Sequence, residues 1–250
     1  MQYGICHLSI VPVRLNPNDS SELVSQLLYG DLLKVKEERK HWAKIQVAFD
    51  KLEGWVNKKQ FQLISEVDFN QLKTEEKKEL STDFVSHIVT KDNILQPITL
   101  GARVDISNFL GHSFEGNYQN PIKNKSKLID TALIYMNAPY LWGGKTPFGV
   151  DCSGFTQMVY KVNGFMLFRN TEKQATQGEA LSFIEESEPG DLAFFDDNEG
   201  VINHVGIILK DNYIIHADGH VRIDRIDHTG IFNNKEKIYS HKLRVIKKVI

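Results

Sequence analysis

The amino-acid sequence predicts an α+β protein in which two small β-barrels precede a larger domain of helices packed on an antiparallel sheet. Residues 1–65 consist of short apolar segments separated by turns, and strands of about five residues at close spacing are typical of a small barrel. From Ser126 onward the apolar residues recur at helical spacing, and strand-like segments follow after Gly190. Because helices come first and strands afterwards, we expect an antiparallel sheet in this last domain.

The first barrel is defined by its turns. A cluster rich in Asn, Asp, Ser and Pro covers residues 16–21, and Tyr29-Gly30-Asp31 forms a second turn. The strand-like segments between these and later turns lie at residues 5–13, 24–28, 32–35, 42–49 and 54–61. We therefore expect the first domain to cover residues 1–65.

Residues 66–118 are expected to hold a linker helix and a second, more divergent barrel. Lysine and glutamate crowd residues 71–80, which favours a surface helix or a solvated linker. Apolar residues return over residues 82–118, punctuated by glycines, without a clean repeat of the first barrel. A polar linker over residues 119–125 completes this part of the chain.

The last predicted domain covers residues 126–250. We expect a helix capped by Ser126 that ends before Pro139, a second helix over residues 152–164, and a third over residues 171–183. Strands are expected at residues 192–195, 205–209, 213–216, 221–226 and 243–250.

Composition excludes several classes of protein. The chain is 41% hydrophobic and 25% charged, as in ordinary globular proteins, and its formal charge of −2 gives no basic field for nucleic acid. Two cysteines are too few for a disulfide scaffold, so we expect Cys6 and Cys152 to be reduced. The sequence shows neither a signal-peptide pattern at its start nor an apolar run of membrane length. We expect a cytoplasmic location, although a secreted or periplasmic protein trimmed of its leader would look the same.

The residues that indicate chemistry are one cysteine and two histidines. Cys152 stands at a predicted helix N-terminus, where free N–H groups and the helix dipole stabilise the nucleophilic thiolate. His204 follows 52 residues later, and His216 twelve residues after that, in adjacent predicted strands. If those strands form a hairpin, His204 can take the proton of Cys152 while His216 orients His204.

These segments resemble the NlpC-type family of papain-like, cell-wall cysteine peptidases over about residues 126–250. The resemblance rests on an aromatic-Trp-Gly-Gly segment, here Tyr140, Trp142, Gly143 and Gly144, and on an Asp-Cys-Ser-Gly block at residues 151–154. It also rests on a His-Val-Gly-Ile block at residues 204–207, a third polar residue, His216, and a Pro-Gly-Asp-Leu turn at residues 189–192. It implies a papain-like fold with Cys152 as nucleophile, His204 as general base and His216 as the orienting residue.

The N-terminal part resembles the bacterial SH3-like domains that often accompany this peptidase, through residues 27–31 and 53–56. The combination resembles the γ-D-glutamyl-L-diamino acid endopeptidases, which cleave murein peptides and require a free N-terminal L-Ala because the SH3-like domain blocks one end of the cleft. This resemblance implies that Asp151 binds the substrate amine, with Ser153, Tyr140 and Trp142 as further substrate-binding residues. Tyr140 and the Cys152 N–H are expected at the oxyanion. The SH3-like residues that would contribute to the site are only candidates: Tyr29, Glu37, Glu38 and Glu53.

Other interpretations stay open at this stage. Cys152 alone could be a buried small residue, Asp151 a helix N-cap, and His216 a solvated histidine at a strand end. Alternative functions are a secreted hydrolase of intact peptidoglycan, a non-catalytic peptide-binding module and a thiol acyltransferase acting on lipid. We expect a small murein peptide as partner, with no metal or organic cofactor, no nucleic acid and no membrane partner, and a monomer. The sequence does not indicate whether diaminopimelate or lysine is the preferred diamino acid.

Overall fold

A computed structural model describes residues 2–197 and 199–250, and the chain divides into two compact units. The N-terminal unit comprises Met1–Ile122 together with Trp142–Thr146, and the C-terminal unit comprises Lys123–Leu141 and Pro147–Ile250. The division after Ile122 falls within the predicted linker. The five residues 142–146 group with the N-terminal unit, although the sequence places them in the peptidase domain.

The N-terminal unit begins with an antiparallel sheet that corresponds to the first predicted barrel. Its strands lie in the order β3-β2-β6-β5-β4-β1-β7. Alternating apolar residues such as Ala43, Ile45 and Val47 point into a core from which the polar residues between them are excluded. The strand bounds are β1 Gln2–Ile5, β2 Ile10–Arg14, β3 Leu23–Leu28, β4 Leu32–Glu38, β5 Trp42–Val47, β6 Glu53–Asn57 and β7 Gln62–Ile64.

The second predicted barrel is only partly confirmed. Helix α1, Glu66–Thr74, follows the first sheet as expected, but the strands after it form a small sheet in the order β10-β9-β11 and a separate β8–β12 pair. Ile88 and Val104 share one core with Tyr3 and Tyr29 of the first sheet. Because this segment completes an existing core, it does not need to close a barrel of its own. The bounds are β8 Leu80–Ser81, β9 Val85–Val89, β10 Leu95–Thr99, β11 Ser113–Glu115, β12 Tyr118–Gln119 and, in the returning segment, β13 Lys145–Thr146.

The C-terminal unit has the predicted α+β form. Its antiparallel sheet runs in the order β15-β21-β16-β17-β18-β19-β20, and α3 packs on β17 and β18. The helices are α2 Leu128–Ile134, α3 Cys152–Val162 and α4 Thr171–Gln174. The strands are β14 Gly149–Val150, β15 Glu179–Leu181, β16 Leu192–Asp196, β17 Ile202–Ile208, β18 Tyr213–Asp218, β19 His220–Ile226, β20 Gly230–Asn233 and β21 Ile238–Lys248. Among the described residues, no helix is long and apolar enough to cross a membrane.

Two predicted helices differ in detail. Ser126 does not cap α2; it lies in a short 3-10 helix that leads into α2, and the Asn124 side chain accepts the Ser126 N–H. The predicted helix over residues 171–183 was wrong beyond Gln174. Gly178 adopts a φ of 73°, which ends helical geometry, and residues 179–181 pair with β21 instead. Sheet pairing therefore overrides the local helical pattern here.

Candidate active site

Cys152 is the first residue of α3, and the cap that starts this helix determines its position. Asp151 is extended and accepts a hydrogen bond from the Gly154 N–H at 2.6 Å. The Cys152 residue is 5% exposed, and its Sγ lies 3.8 Å from Thr171 Oγ1 and 3.9 Å from the Asn203 carbonyl oxygen. Free N–H groups and the partial positive charge at the helix N-terminus favour a thiolate when one forms.

His204 and His216 share one face of the sheet, as the hairpin hypothesis requires. Gly206 of β17 pairs directly with His216 of β18, and His204 lies two residues from Gly206 on the same face. His204 Nε2 is 2.9 Å from His216 Nδ1. A Cβ on residue 206 would come within 2.9 Å of the His216 Cβ, so glycine leaves room for this contact. Since Asn203, the neighbour of His204, contacts the Cys152 sulfur, the structure brings the three predicted residues together.

The hydrogen-bonded chain continues to Asp224 on β19, a residue that was not predicted. His216 Nε2 lies 3.0 Å from Asp224 Oδ2. Arg222 holds the same carboxylate with both ends of its guanidinium, Nε at 2.7 Å from Oδ2 and Nη2 at 2.9 Å from Oδ1. His204, His216 and Asp224 are all buried. Three consecutive strands therefore align a continuous path from an imidazole to a buried, ion-paired carboxylate.

The thiol and the His204 imidazole are both neutral at rest. Burial, followed by the charge of Asp151, raises the pKa of the Cys152 thiol to about 11, and smaller effects of Thr171 and Arg169 lower it. Burial, followed by the neighbouring His216 and His241, lowers the pKa of His204 well below its usual range. At neutral pH the cysteine thus keeps its proton, and the imidazole is uncharged, with a proton on only one of its two nitrogens. This arrangement suits a general base that removes the thiol proton as the sulfur attacks.

A third histidine, His241 of β21, stacks on His204. The ring centroids are 4.0 Å apart with an interplanar angle of 26°. Burial, followed by His216, lowers the pKa of His241 to about 4, so this ring is also neutral at pH 7. The charged or titratable groups that act on His241 are His216, Asp218, Arg222 and Asp224.

Ring nitrogens of His204, His216 and His241 all lie within 4.8 Å of one another, close enough to raise the question of a metal site. The rings of His204 and His241 stack on each other, with centroids 4.0 Å apart. Both nitrogens of His216 already have hydrogen-bond partners. The cluster therefore fits ring packing and proton transfer better than the tetrahedral coordination of a zinc ion.

Asp151, which the resemblance assigns to the substrate amine, and Ser153, a further expected substrate-binding residue, both contact a buried arginine. Arg169 Nη1 donates to Asp151 Oδ1 and to Ser153 Oγ, each at 2.9 Å, and Nη2 donates to Asp151 Oδ2 at 2.7 Å. The Asp151 and Arg169 side chains are 8% and 3% exposed. Asp151 is therefore a helix cap and half of a buried ion pair. A substrate amine at Asp151 has to share this carboxylate with Arg169.

Tyr140 lies near the nucleophile and is partly exposed. Its backbone N–H donates to the Gly219 carbonyl at 2.9 Å, and it forms a bridge with Val150, which places it next to the strand that leads into Cys152. Burial, followed by the charges of Cys152 and Asp151, raises the pKa of the Tyr140 phenol to about 12. The phenol keeps its proton at neutral pH and can donate a hydrogen bond to a developing oxyanion.

Trp142 belongs to the N-terminal unit and is 59% exposed. Its indole Nε1 donates to Glu22 Oε1 at 2.6 Å within that unit. The exposed indole suits a surface that binds ligands better than the core role it could otherwise have. Glu22 is a carboxylate that the sequence analysis did not single out.

The candidate residues of the SH3-like domain all have partners within their own unit. Tyr29 is fully buried, and its hydroxyl lies 3.0 Å from His112 Nδ1. The three glutamates form ion pairs with neighbouring cations, Glu37 with Arg39, Glu38 with Lys58 and Glu53 with Lys44.

Sequence reasoning missed Thr171, which lies 3.8 Å from the thiol sulfur, and three residues that contact the predicted site residues. Asp224 could have been found, because Arg222 and Asp224 are two positions apart in a predicted strand and therefore lie on the same face. Arg169 lies in a loop whose sequence gives no sign of its contact with Asp151. His241 reaches the site past β-bulges that shift the register of β21 against β16 and β20, which the sequence pattern does not reveal.

Comparison with known proteins identifies two domains. Residues 137–239 match the NlpC/P60 family, and residues 13–61 match the bacterial dipeptidyl-peptidase Sh3 domain. The first match contains Cys152, His204, His216 and Asp224, and it ends before His241. The second match covers most of the first sheet of the N-terminal unit.

Individual relatives resemble most of the chain. The gamma-D-glutamyl-L-lysine dipeptidyl-peptidase of Bacillus subtilis (strain 168) is 25% identical over 231 residues, which are 82% of this chain and 75% of that protein. The protein of the same name from Bacillus cereus (strain ATCC 10987 / NRS 248) is 25% identical over 80% of this chain and 68% of its own length. A crystal structure of a NlpC/P60 family protein from Bacillus cereus ATCC 10987 has the same fold, with a TM-score of 0.82 at 21% identity over 99% of both chains. This chain therefore contains an NlpC/P60 domain over residues 137–239, and a bacterial SH3 domain over residues 13–61 precedes it.

Proposed function

We propose that this protein is a cysteine endopeptidase that hydrolyses the amide between γ-D-glutamate and an L-diamino acid in small murein peptides with a free N-terminal L-alanine. The observation that carries the proposal is that Cys152 stands at the N-terminus of α3 while His204 Nε2 and His216 Nδ1 lie 2.9 Å apart on the sheet packed against this helix. Two relatives bear the name gamma-D-glutamyl-L-lysine dipeptidyl-peptidase, which supports the substrate class.

In the first half of the reaction Cys152 acts as the nucleophile. His204 Nδ1 takes the thiol proton while Sγ forms a bond to the γ-carbonyl carbon of D-glutamate. The resulting oxyanion accepts hydrogen bonds from the Cys152 N–H and the Tyr140 phenol. His204 then gives its proton to the departing amine of the diamino acid, and a thioacyl-enzyme remains.

In the second half His204 acts on water. Its Nδ1 removes a proton from a water molecule that attacks the thioacyl carbon, and the Cys152 sulfur leaves and regains the proton. L-Ala-γ-D-Glu is released, and the enzyme returns to its neutral thiol–imidazole state. Metal ions and organic cofactors have no part in this scheme.

The biological setting belongs to the same proposal. A peptidase that needs a free N-terminal L-alanine acts on peptides already separated from the sugar chains, so we place the protein in cytoplasmic recycling of cell-wall peptides, as a monomer. The formal charge of −2 suits a small zwitterionic peptide better than an anionic polymer.

The test compares free peptides, N-acetylated peptides and sugar-linked muropeptides by mass spectrometry of the products. L-Ala-γ-D-Glu-diaminopimelate and its lysine counterpart are offered with a free N-terminus, and then after N-acetylation, to the wild-type protein and to Cys152→Ala. We expect release of L-Ala-γ-D-Glu from one or both free peptides by the wild type alone. Equal cleavage of the acetylated peptide, or of muropeptides still attached to sugar, would favour a hydrolase of intact peptidoglycan. Binding of the free peptides without turnover would favour a binding module.

A further inference from the structure

We propose that Asp224, held by Arg222, is a positioning residue that fixes the tautomers of both His216 and His204 and thereby makes His204 Nδ1 the basic nitrogen. The inference rests on the proposed role of His204 as base. It extends that role to a carboxylate and a guanidinium that are separated from the thiol by two and by three side chains.

The placement of these groups follows from strand register. His216 pairs with Arg222, and Asp224 lies two residues further along β19, so the three side chains share the face that also carries His204. Arg222 is partly exposed, whereas Asp224 and His216 are buried. Water therefore has little access to the contact between His216 and Asp224, and the neighbouring side chains determine which atom carries the proton.

The tautomers then follow from the inventory of donors and acceptors. An ionised carboxylate only accepts hydrogen bonds, so His216 must carry its proton on Nε2, which lies 3.0 Å from Asp224 Oδ2. A neutral imidazole has one N–H, so His216 Nδ1 is a bare acceptor. The contact between His216 Nδ1 and His204 Nε2 therefore needs a proton on His204 Nε2. The remaining nitrogen of His204, Nδ1, is unprotonated and able to accept the thiol proton.

Arg222 stabilises the ionised form of Asp224, on which this arrangement of tautomers depends. Its two contacts with the carboxylate, at 2.7 and 2.9 Å, keep Asp224 ionised in a buried site. Burial raises the pKa of Asp224, but hydrogen bonds from His216 and Arg222 outweigh it and leave the pKa below its ordinary value. A protonated Asp224 could donate to His216 and reverse both tautomers, which would place the His204 proton on the nitrogen that has to receive one from the thiol.

The first test measures the tautomers directly, without substrate. Long-range ¹H–¹⁵N spectra of protein labelled with ¹⁵N-histidine distinguish protonated from bare ring nitrogens, and His204→Gln and His216→Gln spectra assign the two residues. We expect both rings of the wild type to carry the proton on Nε2 at pH 7. A wild-type His204 with its proton on Nδ1 would overturn the inference whatever the variants show. Failure of the peptide assay with these tautomers in place would count against the proposed function alone.

The second test asks whether Asp224 controls them. In Asp224→Ala we expect His216 to lose its single tautomer, and kcat to fall about 10- to 100-fold with little change in KM. This fall in kcat is smaller than the roughly 10⁴-fold loss expected when a carboxylate directly orients the catalytic histidine. Asp218→Asn removes a nearby negative charge without touching His216 Nε2 and is the matched control. If Asp224→Ala folds poorly, Arg222→Gln, at a partly exposed position, tests the same series of hydrogen bonds. We expect it to move the acid limb of the kcat/KM pH profile towards higher pH. Unchanged tautomers and kcat in Asp224→Ala, or equal loss in Asp218→Asn, would refute the proposal.

Discussion

The ion pair between Asp151 and Arg169 offers a test of how the nucleophile is held, because it lies directly beside Cys152 and is almost completely buried. Arg169→Met removes the guanidinium but preserves much of the side-chain volume. Asp151 is then left as a buried carboxylate without its cation, although it still accepts hydrogen bonds from the Gly154 N–H and the Ser153 hydroxyl. Breaking one partner of a buried pair costs about 3–5 kcal/mol of the free energy of unfolding.

A double-mutant cycle separates the pair from the cap. Asp151→Asn keeps an N-cap acceptor, so the double variant Asp151→Asn/Arg169→Met loses both charges but not the cap. It should therefore lose clearly less stability than Arg169→Met alone. Lys248→Met is the matched control, since Lys248 and Glu188 form an exposed pair in the same unit, with side chains 43% and 57% exposed. Such a surface pair is worth about 0–1 kcal/mol.

The assay is equilibrium urea unfolding followed by circular dichroism, with iodoacetamide alkylation of Cys152 as a second readout. Arg169 lowers the pKa of the Cys152 thiol, so its removal should also slow alkylation at pH 7. A stability loss in Arg169→Met no larger than that in Lys248→Met would refute the argument that a buried charge is left without its partner.

Three further predictions concern the thiol and its neighbours. In buffer with a chelator, the alkylation rate of Cys152 should rise about tenfold per pH unit from pH 6 to pH 10. The reason is that the thiol pKa is raised to about 11, so the thiolate fraction grows throughout this range. A plateau in the rate between pH 5 and 8 would instead indicate a preformed thiolate–imidazolium ion pair. Thr171→Val should slow alkylation at every pH below 10, since the Thr171 hydroxyl lowers that pKa, and an equal or faster rate would contradict this role. His241→Phe preserves the stacked ring but removes one of the groups that lower the pKa of His204, so the acid limb of the kcat/KM profile should move to higher pH; an unchanged limb would show that burial and His216 alone set it.

The positions of Cys152, His204 and His216 in the fold were predictable because their sequence signals are local. Asp151 before an apolar helical pattern predicts the start of α3 and hence the position of Cys152. The alternation of apolar residues around His204 and His216 predicts two strands, and a short turn between them predicts the hairpin that places both rings on one face.

The rest of the site depends on contacts between distant parts of the chain. The Arg169–Asp151 contact joins a loop to the N-cap of α3, 18 positions apart in the sequence. Bulged pairing of β21 carries His241 to His204. The second barrel was only partly predicted for a related reason. Apolar residues such as Ile88 and Val104 were assigned to a core of their own, whereas they complete the core around Tyr3. Periodicity shows which residues are buried, but not against which partner.

The central claim is that Cys152 forms a thioacyl bond with the γ-carboxyl carbon of D-glutamate. Its most direct test is rapid acid quenching of the enzyme with L-Ala-γ-D-Glu-diamino acid, followed by proteolysis and mass spectrometry of both cysteine-containing peptides. Cys6 is an internal control, since it is fully buried in the N-terminal unit and burial raises its pKa. We expect an L-Ala-γ-D-glutamyl adduct on Cys152, none on Cys6, and none in Cys152→Ala. Product formation in the first turnover with Cys152 unmodified at every quench time, or an adduct on any other residue, would contradict the mechanism.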